Sequence, residues 1–176
     1  MPLNFETVKT SLYNWVTSVL PANVPAIFFN ENSPRPELPY VTLFLNTLTQ
    51  IGDDFTPRPD IDGDASIIGD REFNIQIQAY GGDPITTLEN IRSSLQLDSV
   101  LDSLRNDNIV FVQHNPINDI TGLLDTKFEP RGSMDVLFRI AQSQDDNLGV
   151  IETVELEQNY SDGEGLIYSE TVLIES

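Results

Sequence analysis

The chain has 176 residues, 39% hydrophobic and 21% charged, no cysteine, and 28 acidic against nine basic side chains for a formal net charge of −19. That length suits one globular core, and the lack of cysteine excludes disulfides, thiolate nucleophiles and cysteine-ligated zinc. So acidic a surface disfavours the Lys/Arg–phosphate contacts behind tight nucleic-acid binding and is repelled by anionic membranes.

Met1–Glu6 has neither a basic n-region nor an apolar h-region, so no signal peptide is expected and the cytoplasm is the default compartment. Phe5, Val8, Leu12, Trp15, Val16 and Val19 recur at helical spacing, which predicts an amphipathic helix over 5–20 with Asn4 as N-cap and Pro21 as its stop. Ala26–Asn30 reads as a short strand, and 31–39, with three prolines, as a loop. In a strand over Tyr40–Leu48, Val41, Leu43 and Leu45 share one face. Polar Thr49–Asp70 is expected to be either a long β-hairpin or a mobile loop.

From Arg71 to Tyr80, Phe73, Ile75, Ile77 and Ala79 alternate with polar residues, the pattern of a strand with one buried face. Gly81-Gly82 turns the chain, and Asp83-Pro84 starts a helix whose apolar stripe is Ile85, Leu88, Ile91 and Leu95. Asp98–Leu104 adds a turn or two of helix, Ile109–Val112 a strand, and 115–132 a polar connection. Ser133–Ile140 alternates again. From Asp145 onward there are nine acidic residues and no basic one, yet enough β-branched residues for a hairpin turning at Ser161-Asp162-Gly163. The sum is one α+β domain over 1–142, a mostly antiparallel or mixed sheet with helices on one face. Residues 143–176 form an acidic extension, expected to be an arm that pairs with a neighbouring subunit.

Chemistry-bearing motifs are absent. The sole histidine, His114, lies in no nucleophile pattern and reads as an exposed loop residue, and there is no Gly-rich phosphate loop. Asp60-Ile61-Asp62-Gly63-Asp64 resembles a calcium loop, but Ala65 stands where an EF-hand needs glycine and Arg71 where it needs glutamate. Trp15 reads as core, and the sequon Asn159-Tyr160-Ser161 as idle. No cofactor, metal or catalytic residue is expected. Seven of the nine basic residues are arginine, the cation suited to bidentate carboxylate pairing at protein interfaces.

The order of segments resembles the tail-terminator and neck-terminator proteins of tailed bacteriophages. The resemblance rests on the N-terminal helix, Leu38–Thr42 (Leu-Pro-Tyr-Val-Thr), Phe73–Tyr80 leading into a helix with Ile91–Leu95 (Ile-Arg-Ser-Ser-Leu), and Arg131 followed by Met134–Arg139. It covers roughly residues 1–142. It implies a non-enzymatic virion protein of the phage neck: a homo-oligomeric ring, commonly a hexamer, that caps the tail tube, meets the tube, sheath and head-side connector proteins, and lets DNA pass through its lumen unbound. On that reading Arg71, Arg131 and Arg139 are candidates to pair with carboxylates of a neighbouring subunit, and Asp60, Asp62 and Asp64 lie in a candidate contact loop. The alternatives are another head-closure, connector or tube protein, or a monomeric acidic binding module whose long loops hold a partner or calcium.

Overall fold

A computed structural model describes residues 3–30, 32, 34–60, 62–124, 126–147, 149, 153–161 and 166–175; within the last two segments, side chains are described only at Val154, Glu155, Leu156, Thr171 and Val172. The chain divides into two units. One comprises the chain up to Phe55 together with Ile68–Gln144, and the other comprises Thr56–Ile67 together with residues from Asp145 onward.

The first unit is built on helix α1 (Phe5–Val19), begun by the Asn4 side chain, which accepts from Glu6 N at 3.0 Å. Val8, Leu12, Trp15 and Val16 bury its inner stripe. Strand β1 (Ala26–Phe28) pairs in parallel with β2 (Tyr40–Phe55), and β2 pairs antiparallel with β3 (Asp64–Tyr80). Helix α2 (Pro84–Ser94) starts at Asp83, and α3 (Asp98–Asn106) follows closely. The remaining strands of this region are β4 (Ile109–His114), β5 (Asn118–Asp119), β6 (Gly122–Leu124), β7 (Lys127–Glu129) and β8 (Arg131–Asn147). The sheet order is β1-β2-β3-β8-β4, with β5 also paired to β8, so the two strongly alternating strands lie side by side at its centre.

That placement explains the core. Phe73, Ile75, Ile77 and Ala79 of β3 and Met134, Val136, Phe138 and Ile140 of β8 all point to one face, where they meet α1, Leu88 and Ile91 of α2, Leu95 at its C-terminal cap and Leu104 of α3. Phe138 sits among three aromatic rings: Trp15 edge-on at 5.7 Å, Phe73 stacked at 5.7 Å and Phe111 at 6.1 Å. Trp15 is core as expected, and its indole N–H donates to Ser94 Oγ at 2.9 Å.

Of the two readings of Thr49–Asp70, the long β-hairpin is the one found: β2 reaches Phe55 and β3 starts at Asp64, with bulges after Leu45 and Ile51. The alternation fades there because most side chains on both faces of the extended β2 end are exposed, so no apolar face is required. The 115–132 connection, read only as polar, holds β5 and the β6–β7 pair, whose strands are too short to show a period. Ile85 is exposed although assigned to the α2 stripe; at 3.6 residues per turn it sits about 90° from the stripe's centre, and Pro84 is buried instead. His114 ends strand β4 half-buried beside Phe111 and is not an exposed loop residue.

In the second unit, β9 (Thr153–Ser161) and β10 (Leu166–Glu175) form an antiparallel pair running from Leu166↔Ser161 to Glu175↔Thr153. Asp162 and Gly163, read as the turn, and the side chains of the sequon lie outside the described residues. No helix among the described residues is long and apolar enough to cross a membrane.

Candidate assembly interface

The sheet face opposite the helices carries the even positions of β3 (Glu72, Asn74, Gln76, Gln78, Tyr80) and the odd positions of β8 (Arg131, Ser133, Asp135, Leu137, Arg139). Most of these side chains are half-buried, shielded by one another. Tyr80 O–H donates to Gln78 Oε1 and Gln78 Nε2 to Gln76 Oε1, each at 2.7 Å, a polar ladder along one strand. Among the described residues, four buried side-chain atoms have no hydrogen-bond partner: Asn74 Oδ1, Asp135 Oδ1, Arg131 Nε and Arg139 Nε. All four belong to this face. Buried polar atoms are normally paired, so a face that leaves four unpaired is one that water or another surface completes.

At one end of the face, two arginines converge on one carboxylate. Glu129, 8% exposed, accepts from Arg131 Nη2 at 3.0 Å and from Arg35 Nη2 at 2.5 Å. The Arg131 guanidinium lies 4.5 Å from the Tyr80 ring centre, and that of Arg35 lies 5.4 Å from Tyr40 and 5.8 Å from Tyr80. The two donors hold the Glu129 carboxyl below the usual carboxylate range, Arg131 contributing first and Arg35 second, while the bond to Glu129 raises Arg35. Burial raises the Tyr40 phenol. Arg35, Arg131, Tyr40 and Tyr80, with Ile27, Phe28, Phe29 and Thr42, line a cavity of about 340 Å³. Phe29 is 61% exposed and meets Phe44 edge-on at 5.7 Å.

Each arginine singled out from sequence has a carboxylate partner within its own chain. Arg131 pairs with Glu129, Arg139 Nη2 with Glu72 at 2.5 Å, and Arg71 with Asp54 through two parallel bonds of 2.7 Å. The Arg71 pair holds Asp54 below its ordinary range. Buried Gly69 makes room for it, since a β-carbon there would collide with the Asp54 carboxylate and the Arg71 guanidinium. Alternation along β3 and β8 puts Arg131 and Arg139 on the open face and Arg71, in register with Phe73, on the other. The structure therefore groups two of the three. Sequence reading missed Arg35, Glu129, Tyr40 and Tyr80 as a cluster; the Pro34-Arg35-Pro36 and Glu129-Pro130-Arg131 runs were its only local trace.

In the second unit, Asp60 closes its own turn: Oδ1 accepts from Asp62 N at 3.0 Å and Asp64 N at 2.9 Å. The Asp64 carboxylate accepts from Asn147 Nδ2, and Asp145 accepts from Ser66 Oγ at 2.8 Å. The acidic run is thus engaged in shaping its loop, and among the described residues no three His, Asp or Glu side chains converge as metal ligands would.

The likeness to known proteins follows the same lines. The solved sheath/tube terminator of an extracellular contractile injection system (PVC), in its extended state, superposes on 93% of this chain and 67% of its own with a TM-score of 0.50 at 15% identity, a likeness of fold. No curated protein matches the chain by sequence. The sequence profile of the phage neck terminator proteins matches residues 6–164. The chain therefore belongs to the phage neck terminator protein family, structural components of the virion and not enzymes.

Proposed function

We propose that this protein closes the phage tail at the neck as a homo-oligomeric ring, commonly of six subunits. It caps the tail tube, meets the sheath where one is present, and joins the tube to the head-side connector. The observation that carries the reading is the sheet: helices seal one face, and the other keeps charged and polar side chains half-buried with four polar atoms unpartnered. A neighbouring subunit completes such a face. Ring closure needs two different patches meeting head to tail, and residues 143–176, beyond the 1–142 domain, supply the second as a contact arm. Arg131 and Arg139 keep N–H donors after their intrachain pairs and face the neighbour. Arg71, on the opposite side of the sheet, meets a different carboxylate surface, and the Asp60–Asp64 turn is a further contact.

DNA passes through the lumen without being held, since the net charge of −19 repels its backbone. The ring is assembled in the host cytoplasm and finishes in the virion neck.

The test is the mass in solution, by light scattering behind a sizing column at two concentrations, with cognate tube protein added in a second run. A discrete mass near six subunits that survives dilution, and tubes whose growth stops on addition of the protein, are expected. Tubes that elongate unchanged in its presence would falsify the capping role.

A further inference from the structure

We infer that the Arg35–Glu129–Arg131 cluster is the docking site for the acidic β9–β10 hairpin of a second copy of this chain; the inference rests on the self-assembly reading above. In a chain of net −19, two of nine basic residues meet around one carboxylate, which leaves the pocket with one net positive charge. Arg35 is about half exposed and stands over the stacked tyrosines with N–H groups still free of Glu129. Arg131 Nε, buried in the same cluster, has no acceptor among the described residues. Phe29 beside them offers an apolar surface that a lone globular subunit gains nothing by exposing.

The hairpin has the complementary character. Residues 153–175 hold six acidic residues and no basic one. Val154, Leu156 and Val172 are exposed, and the register Leu156↔Val172 puts all three on one face of the two-stranded ribbon. A two-stranded hairpin is marginal in water without a surface to pack on. Seated on the cluster, that apolar face covers Phe29, and the net negative charge of the ribbon lies against the net positive charge of the Arg35–Glu129–Arg131 cluster. Charge complementarity of this kind sets register and partner choice. A neighbouring copy carries the hairpin at the same concentration as the pocket, so one contact repeated head to tail joins every subunit to the next.

The test uses the full chain with Phe29 replaced by the photo-cross-linking residue p-benzoylphenylalanine, prepared in equal parts with natural and heavy nitrogen and irradiated after mixing. Mass spectrometry then reads which segment is captured and whether it comes from the same copy. The expected product joins position 29 of one copy to residues 153–175 of another. Arg35→Glu should lower its yield at least tenfold, and Arg35→Lys should restore part of it; circular dichroism on both variants confirms that they fold. Cross-links within a single copy, to another segment of the second copy, or only after tube protein is added would overturn the inference while light scattering still reports a ring. A monomer at every concentration, without inter-copy product, would overturn it together with the self-assembly reading.

Discussion

Tyr40 and Tyr80 lie directly opposite each other across β2 and β3, their rings 4.6 Å apart and 7° from parallel, and both are buried beneath the arginine pair. The stack is the floor of the open sheet face: it spaces Arg35 and Arg131 so that both reach Glu129.

Removing half of that floor should cost far more than removing its hydroxyl. Tyr80→Ala is expected to destabilise the protein by about 3–5 kcal/mol, as for other buried aromatics. Tyr80→Phe loses only the bond to Gln78, about 1 kcal/mol. Urea unfolding followed by tryptophan fluorescence measures both, since Trp15 is the single tryptophan and lies in the core.

Glu129 makes stability depend on pH in a definite direction. Its folded pKa is depressed, so its contribution is present above the unfolded value of about 4.3 and is lost as pH falls through the lower folded value. Glu129→Gln should therefore be less stable than the parent at pH 7, with the gap narrowing below about pH 4. Urea midpoints at several pH values decide it, and a gap that widens toward acid would contradict the account.

Gly81 and Gly82 both have positive φ, +71° and +60°. An added β-carbon at Gly81 would also stand 2.9 Å from Leu38 Cβ, whereas at Gly82 the nearest atom is Pro39 Cβ at 3.6 Å. Gly82→Ala should cost about 1–2 kcal/mol for the left-handed backbone alone. Gly81→Ala should cost more, because the clash adds to it by about another 1–3 kcal/mol. Equal losses in thermal melts of the two variants would show that the Leu38 contact relaxes freely.

Gly69 should be coupled to the Arg71–Asp54 pair. Gly69→Ala pushes a β-carbon into the Asp54 carboxylate, so it is expected to destabilise the natural protein strongly and an Asp54→Ala background much less. A double-mutant cycle by chemical denaturation reads the coupling; additive losses would mean that the glycine serves the strand and not the ion pair.

The parts of this protein that local chemistry governs were legible in its sequence. The Asn4 and Asp83 caps, the buried stripe of α1 and the alternation over Phe73–Ala79 and Met134–Ile140 follow from periodicities read within a dozen residues, and they carried the α+β class and the resemblance to terminators. The tertiary structure alone decided which strands are neighbours, and with that the partners of every arginine on the open face. Arg35 and Glu129 are 94 residues apart and Arg139 and Glu72 are 67, and no local pattern links them. Arg139 and Glu72 meet because the helices must seal one face of β3 and β8, which sets the two strands side by side and turns their polar positions together toward the other face, and Arg35 reaches Glu129 over the Tyr40–Tyr80 stack that the pairing of β2 with β3 creates.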